Sequence, residues 1–341
     1  FRKIPPAKIR KGGGAAPLKT AKEPVEKHRL EPHFNFGGRK FFNHMFTTKT
    51  YTKDFKYFKE KYDENMERMF AAVSDLYAEY WNDFFHFALF KDENESWESA
   101  FRNTHKKYLE ALRIKDASKV LEMACGRGGF TNVLAENTSG EVLGIDISRS
   151  QLSHTKRFKR PNLRFKHHDI MKVDELGEMF DAAVFMDADC YLPDKKLAVE
   201  KISKVMNPGG RFLLLGWCKQ SGLNPIQEEL VLYPFMKYWG IPSLETPENY
   251  KKYFEQSGFK IVEITDLNNQ VRRDWDFGYE SALTGIKKLS LKDLPGLLWK
   301  GMRLGSDGIR LIKEQFPAAI YIKVGFDVGF LRYVYFLVEK K

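Results

Sequence analysis

The pattern of apolar and polar positions predicts strands and helices that alternate along most of the chain. Apolar runs of strand length occur at 120–123, 141–145, 163–165, 180–186, 211–217, 259–264 and 332–338. Helical spacing of apolar residues occurs at 54–83, 96–112, 197–206 and 250–257, with further helical segments within 275–320. Such alternation is typical of a doubly wound sheet. We therefore expect an α/β fold with a Rossmann-like, seven-stranded, mostly parallel sheet and a helical cap.

The first two strands are joined by a glycine turn and a helix. Gly126 and Gly128 follow the first strand, a helix begins near Phe130 with Thr131 as its cap, and the second strand ends in Asp146. Glycines let a ligand approach the backbone, and the first turn of a helix presents free N–H groups. An acid about 20 residues further on can accept hydrogen bonds from both hydroxyls of a ribose. This spacing favours an adenosine nucleoside site over a unit without a ligand.

Positive charge is concentrated at the N-terminal end. The chain has a formal net charge of +11, but residues 1–22 hold seven Lys and Arg and no acid. The remaining 49 basic and 45 acidic residues nearly balance, so we expect no specific nucleic-acid surface. Residues 1–50, rich in proline and glycine, predict an extended basic arm that does not fold alone. We expect this arm to bind a protein partner.

The cysteines and the hydropathy bear on the cell compartment. Cys125, Cys190 and Cys218 form no C-x-x-C pair, which favours a reducing, intracellular compartment. No apolar run of about 18 residues occurs, so we expect no transmembrane segment, while peripheral membrane contact stays open. The acid-free basic start at Phe1 is the pattern found beside an organellar transit peptide. It favours the mitochondrial matrix, with the cytoplasm as the alternative.

The glycine loop resembles the acid-x-Gly-x-Gly-x-Gly loop of class I S-adenosylmethionine-dependent methyltransferases. Glu122 is the acid, Gly126 and Gly128 match two of the glycines, and Ala124 stands at the position of the first glycine. A narrower resemblance links the chain to sterol C-methyltransferases and their isoprenoid-methylating relatives. It covers roughly residues 55–341, and the stretches that carry it are Leu76–Trp81, Phe85–Phe87, Ser96–Ala100 and Tyr335–Lys340. Phe84 stands where that branch has the serine of an S-F-H-F-like motif.

The resemblance implies a cofactor, S-adenosylmethionine, and a role for individual residues. The residues implied to line its methionine end are Glu122, Ala124, Gly126 and Gly128. Asp146 would hold the ribose hydroxyls, and Asp169 would meet the adenine amino group unless it only caps a helix. Tyr77 and Tyr80 would close over the cofactor, the alternative being that both are core aromatics.

A catalytic carboxylate is implied at Asp187, which follows the fourth strand at the sheet edge where ligands bind. The resembling branch has glutamate there. Methylation of a C=C bond forms a carbocation, which a carboxylate can stabilise and then deprotonate. Aromatic faces such as Tyr191, Trp217 and Trp81 suit the shielding of a cation. His86 is a second base candidate, with a core histidine as the alternative.

The expected function is methylation of carbon in a sterol or other isoprenoid, a hydrophobic small-molecule acceptor of lipid metabolism. Two alternatives stay open: methylation of nitrogen or oxygen in a small molecule, and an accessory subunit of a larger, mitochondrial assembly. We expect no metal site, because the adjacent His167 and His168 lack a third ligand at metal spacing. The expected division is an arm at 1–50 and a methyltransferase domain at 51–341. That domain contains a helical cap at 54–112, a cofactor-binding core at 116–219, a substrate-side insertion at 220–330 and a last strand at 331–341.

Overall fold

The computed structural model describes residues 49–81, 83–114, 118–288, 310 and 313–341. The expected arm therefore lies outside the described residues up to residue 48, and its protein partner stays a prediction. Most of the helical segment expected around 289–312 lies outside them as well. Within the described ranges, no helix combines the length and the apolar character needed to cross a bilayer.

Seven strands form one sheet. They are β1 (Val120–Met123), β2 (Val142–Asp146), β3 (Leu163–His167), β4 (Phe180–Met186), β5 (Met206–Lys219), β6 (Phe259–Asp266) and β7 (Leu331–Lys340). Their order in the sheet is β3-β2-β1-β4-β5-β7-β6. Strands β1 to β5 pair in parallel, and β7 lies antiparallel between β5 and β6. The expected seven-stranded, mostly parallel Rossmann-like sheet is confirmed.

Helices connect and cover these strands. They are α1 (Lys49–Glu60), α2 (Tyr62–Trp81), α3 (Trp97–Leu112), α4 (Gly129–Glu136), α5 (Arg149–Leu152), α6 (Lys195–Lys204), α7 (Pro225–Gln227), α8 (Tyr233–Trp239), α9 (Pro247–Gln256), α10 (Arg272–Lys288) and α11, residues 313–327. Short helical turns occupy Ser153–Arg157, Ile170–Leu176, Asp189–Tyr191 and Glu228–Leu232. Side-chain caps begin several helices, such as Ser96 on Ser99 N–H before α3 and Asp194 on Leu197 N–H before α6.

Both faces of the central strands are buried, which explains their nearly continuous apolar sequences. Along β4, Val184 and Met186 belong to the core that contains the cap residues of α2, α8 and α10. Ala183 and Phe185, between them in sequence, belong to the opposite core under α6 and α9. Successive side chains of a strand point to opposite faces, which explains the alternation between the two cores. Asp187 follows Met186 and lies just beyond the end of β4, at the carboxyl edge of the sheet between these cores.

Candidate active site

The glycine loop after β1 contains a position, Gly128, that a larger residue could not occupy. Gly128 has φ 80°, and a Cβ there would lie 2.7 Å from the Phe165 ring. Helix α4 begins at Gly129, with Gly128 as its N-cap. The expected cap, Thr131, was wrong: its side chain is fully buried within the first turn. The loop therefore presents the uncapped N–H groups of α4 toward the carboxyl edge of the sheet.

Ala124 occupies the first glycine position of the motif in a left-handed conformation, with φ 52°. A non-glycine residue in this region costs about 1–2 kcal/mol. The methyl group nevertheless lies among the residues that line the main cavity, and the fold keeps the loop geometry that a glycine would give. This explains why a glycine suits the position and how alanine can replace it.

Asp146, the last residue of β2, is 7% exposed and lines the same cavity. Its Oδ2 accepts a hydrogen bond from Gly126 N–H at 2.8 Å, and its Oδ1 accepts one from Ser148 N–H at 2.8 Å. Burial raises the pKa of Asp146 to about 6, although both backbone N–H groups act in the opposite direction. Each carboxylate oxygen keeps a second lone pair, so Asp146 can accept two further hydrogen bonds, as a ribose diol requires.

Glu122 brings an uncompensated acid to the methionine side of the predicted cofactor site. It is 4% exposed, lines the cavity, and its Oε2 has no hydrogen-bond partner among the described residues. Burial raises the pKa of Glu122 to about 8. A buried carboxylate without a partner is costly, and a positively charged ligand group would remove that cost. The acceptors Glu122 and Asp146, together with the N–H donors of the loop, therefore fit S-adenosylmethionine, which carries an ammonium group and a ribose.

The cavity continues from the glycine loop to a set of aromatic residues under α2. Its space, including the entrance, is about 1120 Å³. Its lining is mostly aromatic and aliphatic, with the carboxyl groups of Glu122, Asp146 and Asp187 as the acidic members. Helix α2 lines it with four side chains: Tyr62, Met66, Phe70 and Tyr77. The Tyr77 hydroxyl donates to Gln315 Oε1 at 2.5 Å, whereas the Tyr80 side chain lies outside the described part of the chain.

Asp187 lies at the carboxyl end of β4 with φ 59° and lines the cavity. Its Oδ1 accepts from Trp217 Nε1–H at 3.0 Å, and its Oδ2 accepts from the Tyr333 hydroxyl at 2.9 Å. Desolvation raises the pKa of Asp187 to about 8, and hydrogen bonds from Tyr333, Trp217 and the Phe87 backbone oppose this rise. The group can thus take up or release a proton near neutral pH.

Aromatic rings surround this carboxyl. Phe87, Trp217, Trp239 and Trp275 line the cavity, as does Tyr191. The ring centroids of Phe87 and Trp275 are 4.7 Å apart, and those of Trp217 and Trp275 are 5.0 Å apart. Trp217 and Tyr191 therefore lie where the sequence predicted them, while the side chain of Trp81 is outside the described residues. Phe87, Trp239 and Trp275 were missed, because only the tertiary fold brings their helices and loop to this edge.

His86 lies outside the residues that line the cavity. It is 1% exposed, its Nδ1 faces the Phe87 carbonyl oxygen at 3.0 Å, and its Nε2 faces His105 Nε2 at 3.0 Å. Burial lowers the pKa of His86 to about 4. The geometry is that of the core histidine that the sequence left as an alternative. The S-F-H-F-like stretch contributes to the site through Phe87, the residue after His86. The Phe87 ring packs against the ring of Tyr333, and the Phe87 backbone N–H donates to Asp187.

Asp169 caps the helical turn after β3 and holds α2. Its Oδ1 accepts from Met171 N–H at 2.7 Å and also from the Tyr62 hydroxyl. The next residue, Ile170, lines the cavity, whereas Asp169 is not among the lining residues. The capping alternative is thus realised, and a contact with adenine stays a prediction. In the described ranges, no group of three or more acids, histidines and cysteines is arranged to hold a metal ion.

Comparison with known proteins gives concordant results. Residues 77–264 match a family model described as a methyltransferase domain. The sterol 24-C-methyltransferase of Kluyveromyces lactis is 27% identical over 258 residues, which are 72% of this chain and 67% of that protein. The sterol 24-C-methyltransferase ERG6 of Saccharomyces cerevisiae is 29% identical over 61% of this chain and 56% of its own length. A cycloartenol-C-24-methyltransferase of Arabidopsis thaliana is 25% identical over 75% of this chain and 78% of that protein.

Solved structures share the fold at low sequence identity. The cyclopropane synthase MmaA2 from Mycobacterium tuberculosis superposes with a TM-score of 0.65 at 17% identity, covering 82% of this chain and 98% of that one. The mycolic acid cyclopropane synthase CmaA1, solved with S-adenosylhomocysteine, gives a TM-score of 0.67 at 14% identity, with the same coverage. These structures show that the fold of this chain is that of known cyclopropane synthases in outline, with TM-scores of 0.65 and 0.67.

Proposed function

The chain belongs to the methyltransferase-domain family, and we propose that it methylates carbon in a sterol or another unsaturated isoprenoid, with S-adenosylmethionine as methyl donor. One observation carries the choice of carbon. Asp187, a carboxyl without a counter-ion among its hydrogen-bond partners, lines the cavity together with Phe87, Trp217 and Trp275. A carboxylate among aromatic faces suits a cation that exists only during the reaction.

Three groups of this chain bind and orient the cofactor. Asp146 accepts hydrogen bonds from the ribose hydroxyls, and Glu122 faces the positively charged amino-acid end. Gly126 and Gly128, which have no Cβ, let the cofactor approach the backbone of the loop closely. When bound, the cofactor supplies an electrophilic methyl group. Helix α2 covers the cavity and excludes water from it, which strengthens the electrostatic effect of nearby charged groups.

Asp187 and the aromatic residues act on the acceptor. A C=C bond that gains a methyl group leaves a positive charge on the neighbouring carbon. The Asp187 carboxylate stabilises this charge and then accepts a proton from an adjacent carbon, so that the product regains a double bond. The faces of Phe87, Trp217 and Trp275 stabilise the same charge without offering an atom that would capture the carbocation. The acceptor thus gains a methyl group and loses one proton to Asp187.

The names of the relatives support an isoprenoid acceptor. Several are sterol or cycloartenol C-methyltransferases, and one is a tocopherol O-methyltransferase of Arabidopsis thaliana. These relatives are 22–29% identical to this chain. The aromatic and aliphatic lining of the cavity agrees with an apolar acceptor. Cell compartment and partners of the arm remain predictions.

The acceptor class can be tested with methyl-deuterated S-adenosylmethionine. We would incubate the purified protein with a sterol that carries a side-chain double bond, with a prenylated phenol and with a lipophilic amine, and analyse the products by mass spectrometry. Deuterated methyl on carbon of the sterol is the expected result. Label only on oxygen or nitrogen would overturn the proposal, and binding of no cofactor in calorimetry would favour the accessory-subunit alternative.

Asp187→Asn tests the role of the carboxylate. It preserves the side-chain volume and removes the charge, so turnover should fall about 100-fold to 1000-fold. Cofactor affinity should stay unchanged, because Asp187 faces the acceptor. Asp181→Asn is the matched control, since Asp181 lies on the same strand with an exposed side chain. Single-turnover rates that are equal in the wild type and in Asp187→Asn would remove Asp187 from the mechanism.

A further inference from the structure

Tyr333 reaches Asp187 from β7, a strand whose described residues contribute nothing to the lining of the cavity. We propose that Tyr333 is a positioning residue for methyl transfer, which holds the Asp187 carboxylate in the orientation that faces the acceptor. The inference rests on the proposed function. Tyr333 is fully buried and is not among the residues that line the cavity, so it acts on the acceptor through Asp187.

The strand register explains why two donors meet one carboxylate. Trp217 on β5 and Tyr333 on β7 are direct partners in the antiparallel pairing of these strands. Trp217 Nε1–H donates to Oδ1 of Asp187 at 3.0 Å, and the Tyr333 hydroxyl donates to Oδ2 at 2.9 Å. One donor on each oxygen fixes both side-chain torsions of Asp187. The Asp187 N–H also donates to Leu215 O at 3.2 Å, which fixes the backbone beside β5.

The Tyr333 ring has a separate, structural role. Its centroid lies 5.0 Å from that of Phe87 and 6.3 Å from that of Trp217. Tyr333→Phe keeps this packing and deletes only the hydroxyl, so the variant should fold. Tyr335 offers a matched control two residues further along β7, because it is 1% exposed and its ring packs beside Tyr108 and under Lys107.

The hydroxyl also favours the ionised form of Asp187. Hydrogen bonds to a carboxylate lower its pKa, and Tyr333 is the largest such contribution at Asp187. The other titratable groups that act on this region are acids, phenols and a thiol: Asp189, Cys190 and Tyr191 after β4, Asp274 on α10, and Tyr108 on α3. The negative forms of these groups would raise the pKa of Asp187, as burial does. Without the Tyr333 hydroxyl, only Trp217 and the Phe87 N–H would counteract this rise in the pKa.

Kinetics of Tyr333→Phe and Tyr335→Phe separate positioning from packing. A hydrogen bond to a charged group corresponds to a rate change of about 10-fold to 100-fold, so kcat of Tyr333→Phe at pH 7 should fall by that factor. The KM for the acceptor and the affinity for the cofactor should stay unchanged. The rising limb of the pH–rate profile should move upward by about one to two pH units. Tyr335→Phe should match the wild type in all four quantities.

A second measurement needs neither cofactor nor acceptor. Carbon-13 NMR of the Asp187 carboxyl in the ligand-free protein should show a higher titration midpoint in Tyr333→Phe than in the wild type and Tyr335→Phe. Equal midpoints and equal kcat in both phenylalanine variants would overturn the inference. That result is distinct from failure of the proposed function, in which Asp187→Asn itself retains the wild-type rate.

Discussion

Asp146 has two tasks at the level of a single residue. Its carboxylate orders the glycine loop through Gly126 N–H and the turn after β2 through Ser148 N–H, each at 2.8 Å. Its remaining lone pairs face the cavity. Loss of the charge should therefore weaken the cofactor site twice, by removing an acceptor for the ribose and by loosening the loop that the cofactor approaches.

Asp146→Asn and Asp169→Asn form an isosteric pair that tests this view. A hydrogen bond to a charged group is worth about 1.5–3 kcal/mol, so Asp146→Asn should weaken S-adenosylmethionine binding by at least about 10-fold in calorimetry. Asp169→Asn should bind the cofactor like the wild type, because asparagine caps a helix as well as aspartate does. An equal loss in both variants would instead restore the predicted contact between Asp169 and adenine.

The sequence predicted the residue types of the cofactor site but not their conformations. Gly126, Gly128 and Asp146 were identified by spacing, and the structure brings them to one edge. Ala124 and Asp187 have a left-handed backbone, with φ 52° and 59°. The sequence did not indicate this conformation, because neither residue is a glycine. Such conformations are imposed by surrounding tertiary contacts, which local patterns do not contain.

At the scale of elements, α2 lines the cavity and is hydrogen-bonded to the loop beside it. Ser74 anchors its middle: the hydroxyl donates to Gln151 Oε1 at 2.6 Å and accepts from Arg127 Nε–H at 2.9 Å. Arg127, 6% exposed, continues to Asp75 on the same helix. These contacts join α2 to the glycine loop and to α5, so the helix and the cofactor loop should move together.

Ser74→Ala should loosen α2 without changing any residue that lines the cavity. The substitution leaves the buried Arg127 and Gln151 with one partner fewer, at a cost of about 1–3 kcal/mol. Hydrogen exchange across residues 62–81 should become faster, and the cofactor should dissociate faster. Glu64→Ala, an exposed change on the same helix, is the control. Unchanged exchange in Ser74→Ala would show that the anchor does not hold the helix.

The strand pattern predicted element positions well where both faces are buried. Strand β4 was predicted at its bounds, Phe180–Met186, because its apolar run is of strand length and ends at a polar residue, Asp187. The helix expected at 54–83 is instead two helices that meet at Lys61, where no proline or glycine marks the break. Strand β5 begins at Met206 and runs through Pro208 and Gly209, which local turn preferences had placed outside the strand.

At the scale of the whole molecule, the site is assembled from distant parts of the chain. Asp187, Trp217 and Tyr333 meet because β7 inserts antiparallel between β5 and β6 in one particular register. A shift by one residue would turn Tyr333 to the other face of the sheet. Register depends on the packing of the entire sheet, so the sequence predicted a carboxylate after β4 but not the two donors that hold it.

The fold also buries several acids whose ionisation opposes its stability. Burial raises the pKa of Glu122 and Asp187 to about 8, and that of Asp146 and Asp189 to about 6. These acids bind protons more tightly in the folded than in the unfolded protein. Their stabilising contribution is therefore complete at low pH and is lost as the pH rises through the folded-state pKa values.

His86 and His105 act in the opposite direction over a lower range. Burial lowers their pKa values to about 4 and about 3, so the unfolded protein binds more protons between those values and about 6.5. Stability from the histidines rises with pH up to about 6.5 and then stays constant. The window from about pH 6.5 to 8 is therefore left to the acids, among them Glu122, Asp187 and Asp274, whose pKa burial raises well above its usual value.

The ligand-free protein should lose stability between pH 6.5 and 8. Glu122 and Asp187 each contribute a slope of up to about 1.4 kcal/mol per pH unit in this window. Glu122→Gln cannot ionise and should reduce the slope, whereas Glu255→Gln, an exposed change on α9, should leave it unchanged. Saturating S-adenosylmethionine should also flatten the slope, because its cationic end beside Glu122 favours the carboxylate. Chemical denaturation at pH 6.5, 7.25 and 8 measures all four cases. A wild-type stability that is constant or rises over this window would show that the buried acids are ionised in the folded protein without cost.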